Sequence, residues 1–153
     1  RNDRKNGTLE RVVGDMVLLC NYPDQYRKDS KTAFKWLNEN ASISDFDNLN
    51  RLLTRLTASM EATKEIRALF NSKHAHILVA VFKEFTESGY EDAEYGKFLE
   101  WFVNGGNETE VNGKTWEVLG ADRSTRDANT VHEKIDHLVA LFGRYFSEVE
   151  KAA

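Results

Sequence analysis

One cysteine and one proline stand in 153 residues. With Cys20 alone, an intrachain disulfide and a cysteine-built zinc cluster are both excluded. With Pro23 alone and only nine glycines, long stretches run without a breaker, which favours helices. Long apolar runs are missing too: Met16 to Cys20 and Ile77 to Phe82 fall far short of the ~20 residues a membrane-crossing helix requires. Nor is there a large excess of one charge. Twenty-five acidic against 21 basic residues give a net charge of −4, a mild balance that argues against a dedicated polyanion binder.

What is present is ordinary globular material, 41% apolar and 30% charged. A chain of this length hides roughly two-thirds of its unfolded surface on folding, enough for a core without staples. The start, Arg1 to Gly7, is polar with no apolar segment behind it, so no secretory signal is read there. The expectation is a polar tail over 1–7, one helical domain over 8–150, and a reducing, cytoplasmic setting without membrane contact. The first residue is Arg1 rather than Met, which suggests one domain of a longer protein.

Periodicity supplies the fold class. From Thr8 as N-cap, Leu9, Val12, Val13, Met16, Val17 and Cys20 recur at helical spacing until Asn21-Tyr22-Pro23. Tyr26, Ala33, Phe34 and Leu37 mark a second helix between about 24 and 40. Ser44 and Asp47 form a capping-box pattern that opens a third, on which Phe46, Leu49, Leu53, Leu56 and Met60 lie within about 80°. Ile66, Leu69 and Phe70 drift off that stripe, so either the helix breaks within Glu61 to Glu65 or it meets two neighbours. Ile77 to Phe82 with Phe85 is apolar nearly all round and reads as a buried central helix.

Tyr95, Phe98, Leu99 and Phe102 give the next stripe, ended by Asn104-Gly105-Gly106. The stretch to Thr130 then holds glycines and Asn112-Gly113, the favoured dipeptide of a type I′ turn, so a small β-hairpin or ordered loop is expected over 108–119. Thr130 and Glu133 make a second capping box, and Val131, Ile135, Leu138, Val139, Phe142, Phe146 and Val149 a final stripe about 100° wide. The sum is a mainly α, single-domain bundle of five or six helices, with roughly 60 to 70% helix against a usual third.

Chemistry-bearing residues are few, and each has a structural alternative. His132-Glu133 followed by His137 resembles a zinc-protease helix, but five residues separate the histidines by about 140°, where that motif needs four. His132 and Asp136 do have ligand spacing, and with His74 or His76 they make the metal-site alternative. An ordinary solvated pair on the polar face explains them as well. His74-Ala75-His76 falls at a helix start, where the macrodipole favours a neutral imidazole. Cys20 lacks a basic neighbour and reads as a small core side chain. No Gly-rich phosphate loop and no Gly-x-Ser-x-Gly elbow occurs.

Two further sets of residues carry binding alternatives. Arg123, Ser124, Thr125 and Arg126, just before the last helix, could hold an anion such as phosphate, or the arginines could pair with Asp122 and Asp127. The basic residues Arg51, Arg55, Lys64 and Arg67 do not share a face and make no stripe for a nucleic acid. Tyr90 and Trp101 lie off the main stripe of the fifth helix, either covered by a second layer such as the Trp116 segment or available to a protein partner. The reading is therefore a non-catalytic helical interaction or accessory domain without cofactor or metal, bound to a protein partner or neighbouring domain. The alternatives are a nucleic-acid-associated accessory domain using Arg123 and Arg126, and a metal-dependent hydrolase using His132 and Asp136.

Overall fold

The computed structural model describes residues 2–26, 30–121 and 127–152. It is 77% helical, with seven α-helices and no strand among the described residues. In order these are α1 (Asn2–Asn21), α2 (Ser30–Asn40), α3 (Ile43–Ala58), α4 (Lys64–Leu69), α5 (Ala75–Glu87), α6 (Asp92–Val103) and α7 (Ala128–Ala152). Short 3-10 turns lie at Pro23–Gln25, Gly106–Glu108 and Trp116–Val118. The mainly α class expected from periodicity is the one observed, with one helix more than expected.

The extra helix comes from the third periodic segment, which breaks. α3 stops at Ala58, and Thr63 starts α4 by accepting a hydrogen bond from the Ile66 amide at 3.3 Å. Its opening also differs from the sequence reading. The capping box is Ser42 with Asp45, not Ser44 with Asp47: the Asp45 carboxylate accepts from the Ser42 amide at 2.9 Å, and Ser42 Oγ accepts from the Asp45 amide at 3.4 Å. α7 likewise starts early, by three residues, because Asp127 rather than Thr130 accepts the first free amides, those of Asn129 and Thr130. At the other end of the chain α1 begins at Asn2, so residues 2–7, expected as part of a polar tail, are helical.

α5 sits at the centre. Nine of its thirteen residues are buried, and it packs against α1, α3, α6 and α7. An apolar surface on every side of one helix can be hidden only if partners surround it, and each buried Leu, Ile, Val or Phe contributes about 1.5 to 3 kcal/mol. Towards its C-terminal end Phe85 meets Tyr95 at 5.2 Å, Phe142 at 4.9 Å and Phe146 at 6.0 Å, ring centre to ring centre. The buried Tyr95 hydroxyl donates to the Leu78 carbonyl at 2.7 Å, which fixes α6 on α5. On the surface Arg55 of α3 donates twice to Asp92 at the start of α6, at 2.9 and 2.8 Å.

The long helix α7 turns a different face to the core from the one its hydrophobic residues outline. Val131, Lys134, His137, Leu138, Leu141, Phe142 and Tyr145 are buried, while Ile135, Val139 and Phe146 are only half so. The buried face is rotated by roughly 80° from the expected stripe, at 100° per residue. Two polar side chains thus occupy core positions.

Between α6 and α7 the expected hairpin is reduced to its turn. Val111 and Lys114 form an isolated antiparallel bridge, their two hydrogen bonds 2.9 and 3.1 Å long. Asn112 and Gly113 have φ of 54° and 78°, as a type I′ turn demands.

Glycine contacts give a test of this packing. A Cβ on Gly96 in α6 would stand 2.3 Å from the Ser59 carbonyl oxygen and 2.9 Å from Met60 Cα, backbone that cannot step aside. Gly143 in α7 faces open space. Gly96→Ala is expected to destabilise by about 2 to 4 kcal/mol and Gly143→Ala to stabilise by about 0.5 to 1 kcal/mol, read as shifts of the urea midpoint at constant m.

Candidate functional site

Two features could carry function. The first is an open groove of about 520 Å³ where α1, α2 and α3 meet, lined by Glu10, Val13, Gly14, Phe34, Leu37, Asn38 and Phe46. Phe46 was expected on the core stripe with Leu49 and Leu56. It is instead 43% exposed, and Ile43 one turn earlier is 81% exposed. The first turn of α3 projects beyond the core that its later turns enter. That turn is nevertheless held firmly. The Tyr22 hydroxyl donates to Asp45 at 2.7 Å, and the Ser42 amide and this hydroxyl together hold the Asp45 carboxyl below the usual carboxylate range. Tyr22 is itself edge-on to Trp36 of α2, 4.9 Å between ring centres. The exposed apolar pair is therefore presented on a capped helix start tied to the end of α1.

The second feature is a polar corner where α5 begins. The Lys134 ammonium, on the buried face of α7, donates to His74 Nε2 at 3.1 Å and lies 5.2 Å from the centre of the Trp116 ring. Trp116 also meets His74 at 5.2 Å, Phe102 at 5.5 Å and His137 at 6.3 Å. The indole thus pins the segment after α6 onto α5 and α7. Burial, with Lys134 and Lys73 nearby, lowers the His74 imidazole to about 4. Burial likewise lowers His137, against the opposing pull of Glu133. His74 is therefore neutral at pH 7 and accepts through Nε2, as its place at the start of α5 suggested. A neighbouring cavity of about 370 Å³ lies under the Asn112-Gly113 turn, lined among others by Lys114, Glu133, Asp136 and His137.

Compared with protein-family models, curated proteins and solved structures, the chain matches none.

The remaining sequence candidates separate in space. His76 is buried and stacks on Tyr26, 5.9 Å between ring centres, while His74 points to Lys134. His132 and Asp136 line another cleft, of about 340 Å³, with Cys20, Lys83, Glu84 and Glu87. Among the described residues no three His, Cys, Asp or Glu side chains are placed to hold a metal ion. The Cys20 thiol in that cleft is pushed up to about 12, chiefly by burial, against the opposing charge of Lys83. It remains protonated and unreactive at neutral pH. Arg123, Ser124, Thr125 and Arg126 lie outside the described residues.

Tyr90 and Trp101, the candidate interface pair, both lean on α7. Tyr90 stacks on Phe146 with ring centres 4.4 Å apart. Trp101 donates its indole N–H to Glu148 and meets Tyr145 at 5.8 Å. A Cβ added to Gly106 would stand 2.6 Å from the Trp101 ring, so the cover over Trp101 is Gly106 and the end of α7, not the Trp116 segment. What sequence reasoning missed is Lys134 and the Ile43–Phe46 pair. The only trace of Lys134 in the sequence is its place between Val131 and Leu138 at core spacing.

Two histidines with lowered values set a pH dependence. The unfolded chain binds protons on them at higher pH than the folded one, so both add stability at neutral pH that acid removes; for His74 the loss runs from about pH 6.5 down to about 4. For the partly exposed His74 this amounts to about 1 to 2 kcal/mol after discounting for solvent. Urea unfolding at pH 7 and pH 4.5 should show a smaller loss of stability in His74→Gln than in the wild type by that amount.

Proposed function

We propose that this chain is a non-catalytic helical interaction domain, and that its partner, a separate protein or a neighbouring domain, docks in the groove between α1, α2 and α3. The observation that supports this reading is the pairing of an open apolar groove with large apolar side chains left in water on a capped helix start. Solvated Ile and Phe cost free energy that burial against a partner recovers, about 25 cal/mol for each Å² covered. The groove is mainly apolar, with Glu10 and Asn38 as its polar lining. An amphipathic helix that inserts two or three apolar anchors one turn apart suits that shape, with a basic residue opposite Glu10.

Retention of partners from a lysate of the source cells on the immobilised chain tests this reading. The control is Ile43→Asp/Phe46→Asp. Both positions are exposed, so folding stability should change by no more than about 0.5 kcal/mol each. A discrete protein retained by the wild type and reduced at least tenfold on the variant is expected, since the loss of two anchors costs about 1.4 kcal/mol or more. Retention unaffected by the double substitution would contradict the reading. If that retention were also removed by nuclease, the nucleic-acid alternative centred on Arg123 and Arg126 would replace it.

A further inference from the structure

Lys134 is 7% exposed, and buried lysines are nearly always paired with a carboxylate. This one is not. Its one hydrogen bond among the described residues runs to the neutral His74 imidazole, and its other neighbour is the face of Trp116. Glu133, the preceding residue on α7, turns to Lys114 at 3.3 Å instead. Of the three N–H groups on the ammonium, His74 takes one.

The surroundings add positive potential rather than cancelling it. His74 is the residue that begins α5, a helix of thirteen residues, and its side chain makes no cap bond. The positive end of the helix dipole lies at the same corner, although Asn71 already accepts from the Lys73 and His74 amides through Oδ1 and from the Ala75 amide through its carbonyl. Lys73 is exposed, and its charge reaches both His74 and Lys134. His74 is only half-buried, so the corner is open to solvent on the α5 side.

We infer that the corner formed by Lys134, Lys73 and the start of α5 binds one small oxyanion, the phosphate or carboxylate group of a small molecule. Such a group carries the charge the corner lacks and several acceptor oxygens for the unused ammonium donors. His74 and Trp116 hold the lysine side chain in place, one as acceptor and the other through its ring face. The site shares no residue with the groove proposed for a protein partner and stands or falls separately from it.

Calorimetric titration of inorganic phosphate, and in a separate arm acetate, into the full chain at pH 7.5 and fixed ionic strength provides the test. Saturable one-site binding is expected, at least tenfold weaker in Lys134→Met and several-fold weaker in Lys73→Ala. Lys73 is on the surface, so its variant carries the test if Lys134→Met does not fold. Tighter phosphate than acetate would mark a phosphate-bearing ligand, and the reverse order a carboxylate; either supports the site. Absence of saturable binding of both up to about 10 mM, weaker than any useful Kd, would overturn it. So would binding that is unchanged in the folded variants.

Discussion

Burying a helix on all its sides is the constraint from which the rest of the structure follows. Ile77 to Phe82 leave the first half of α5 no polar face to offer water, and Lys83, Glu84 and Glu87 near its end reach the surface, so α1, α3, α6 and α7 enclose it. Side-chain identity then sets the fine placement. Tyr95 reaches the Leu78 carbonyl, Phe85 sits within a ring of aromatics, and Gly96 lets α6 approach the end of α3.

The two ends of such a helix are harder to satisfy than its middle. At the C-terminal end aromatic rings close over Phe85 and Tyr90. At the N-terminal end the solution is polar, with His74, Lys134 and Trp116 in mutual contact. This is where the segment between α6 and α7 is anchored, and where the Lys134 ammonium is buried against an imidazole and an indole, with no carboxylate bonded to it among the described residues. The groove has a different origin. α3 enters the core only from Leu49 onward, so its first turn, fixed by the Ser42–Asp45 box and by Tyr22, holds Ile43 and Phe46 outside.

Most of the architecture was legible in the sequence because apolar spacing determines it. The all-round apolar block over 77–82, the Tyr95 to Phe102 stripe and the Asn112-Gly113 turn all have the forms expected of them. The capping boxes were displaced by two or three residues because several Ser, Thr and Asp stand near each helix start, and spacing alone does not say which bonds the free amides. The buried face of α7 was misplaced for a deeper reason. Lys134 and His137 are polar letters at core positions, and a stripe drawn through apolar residues passes them by. Both candidate sites come from such departures, an apolar pair in water and an ammonium in the core. Local pattern cannot reveal either, since each depends on what the neighbouring helices leave open.

Native-state hydrogen exchange tests the central role of α5 most directly. If the other helices depend on it, the amides of Val79 to Phe85 exchange only through global unfolding, with a free energy equal to that from urea titration. The short helix α4 and the Asn112-Gly113 turn should open locally, at lower cost. Slowest exchange in α1 or α7, with α5 opening at a lower free energy than the whole chain, would contradict the account.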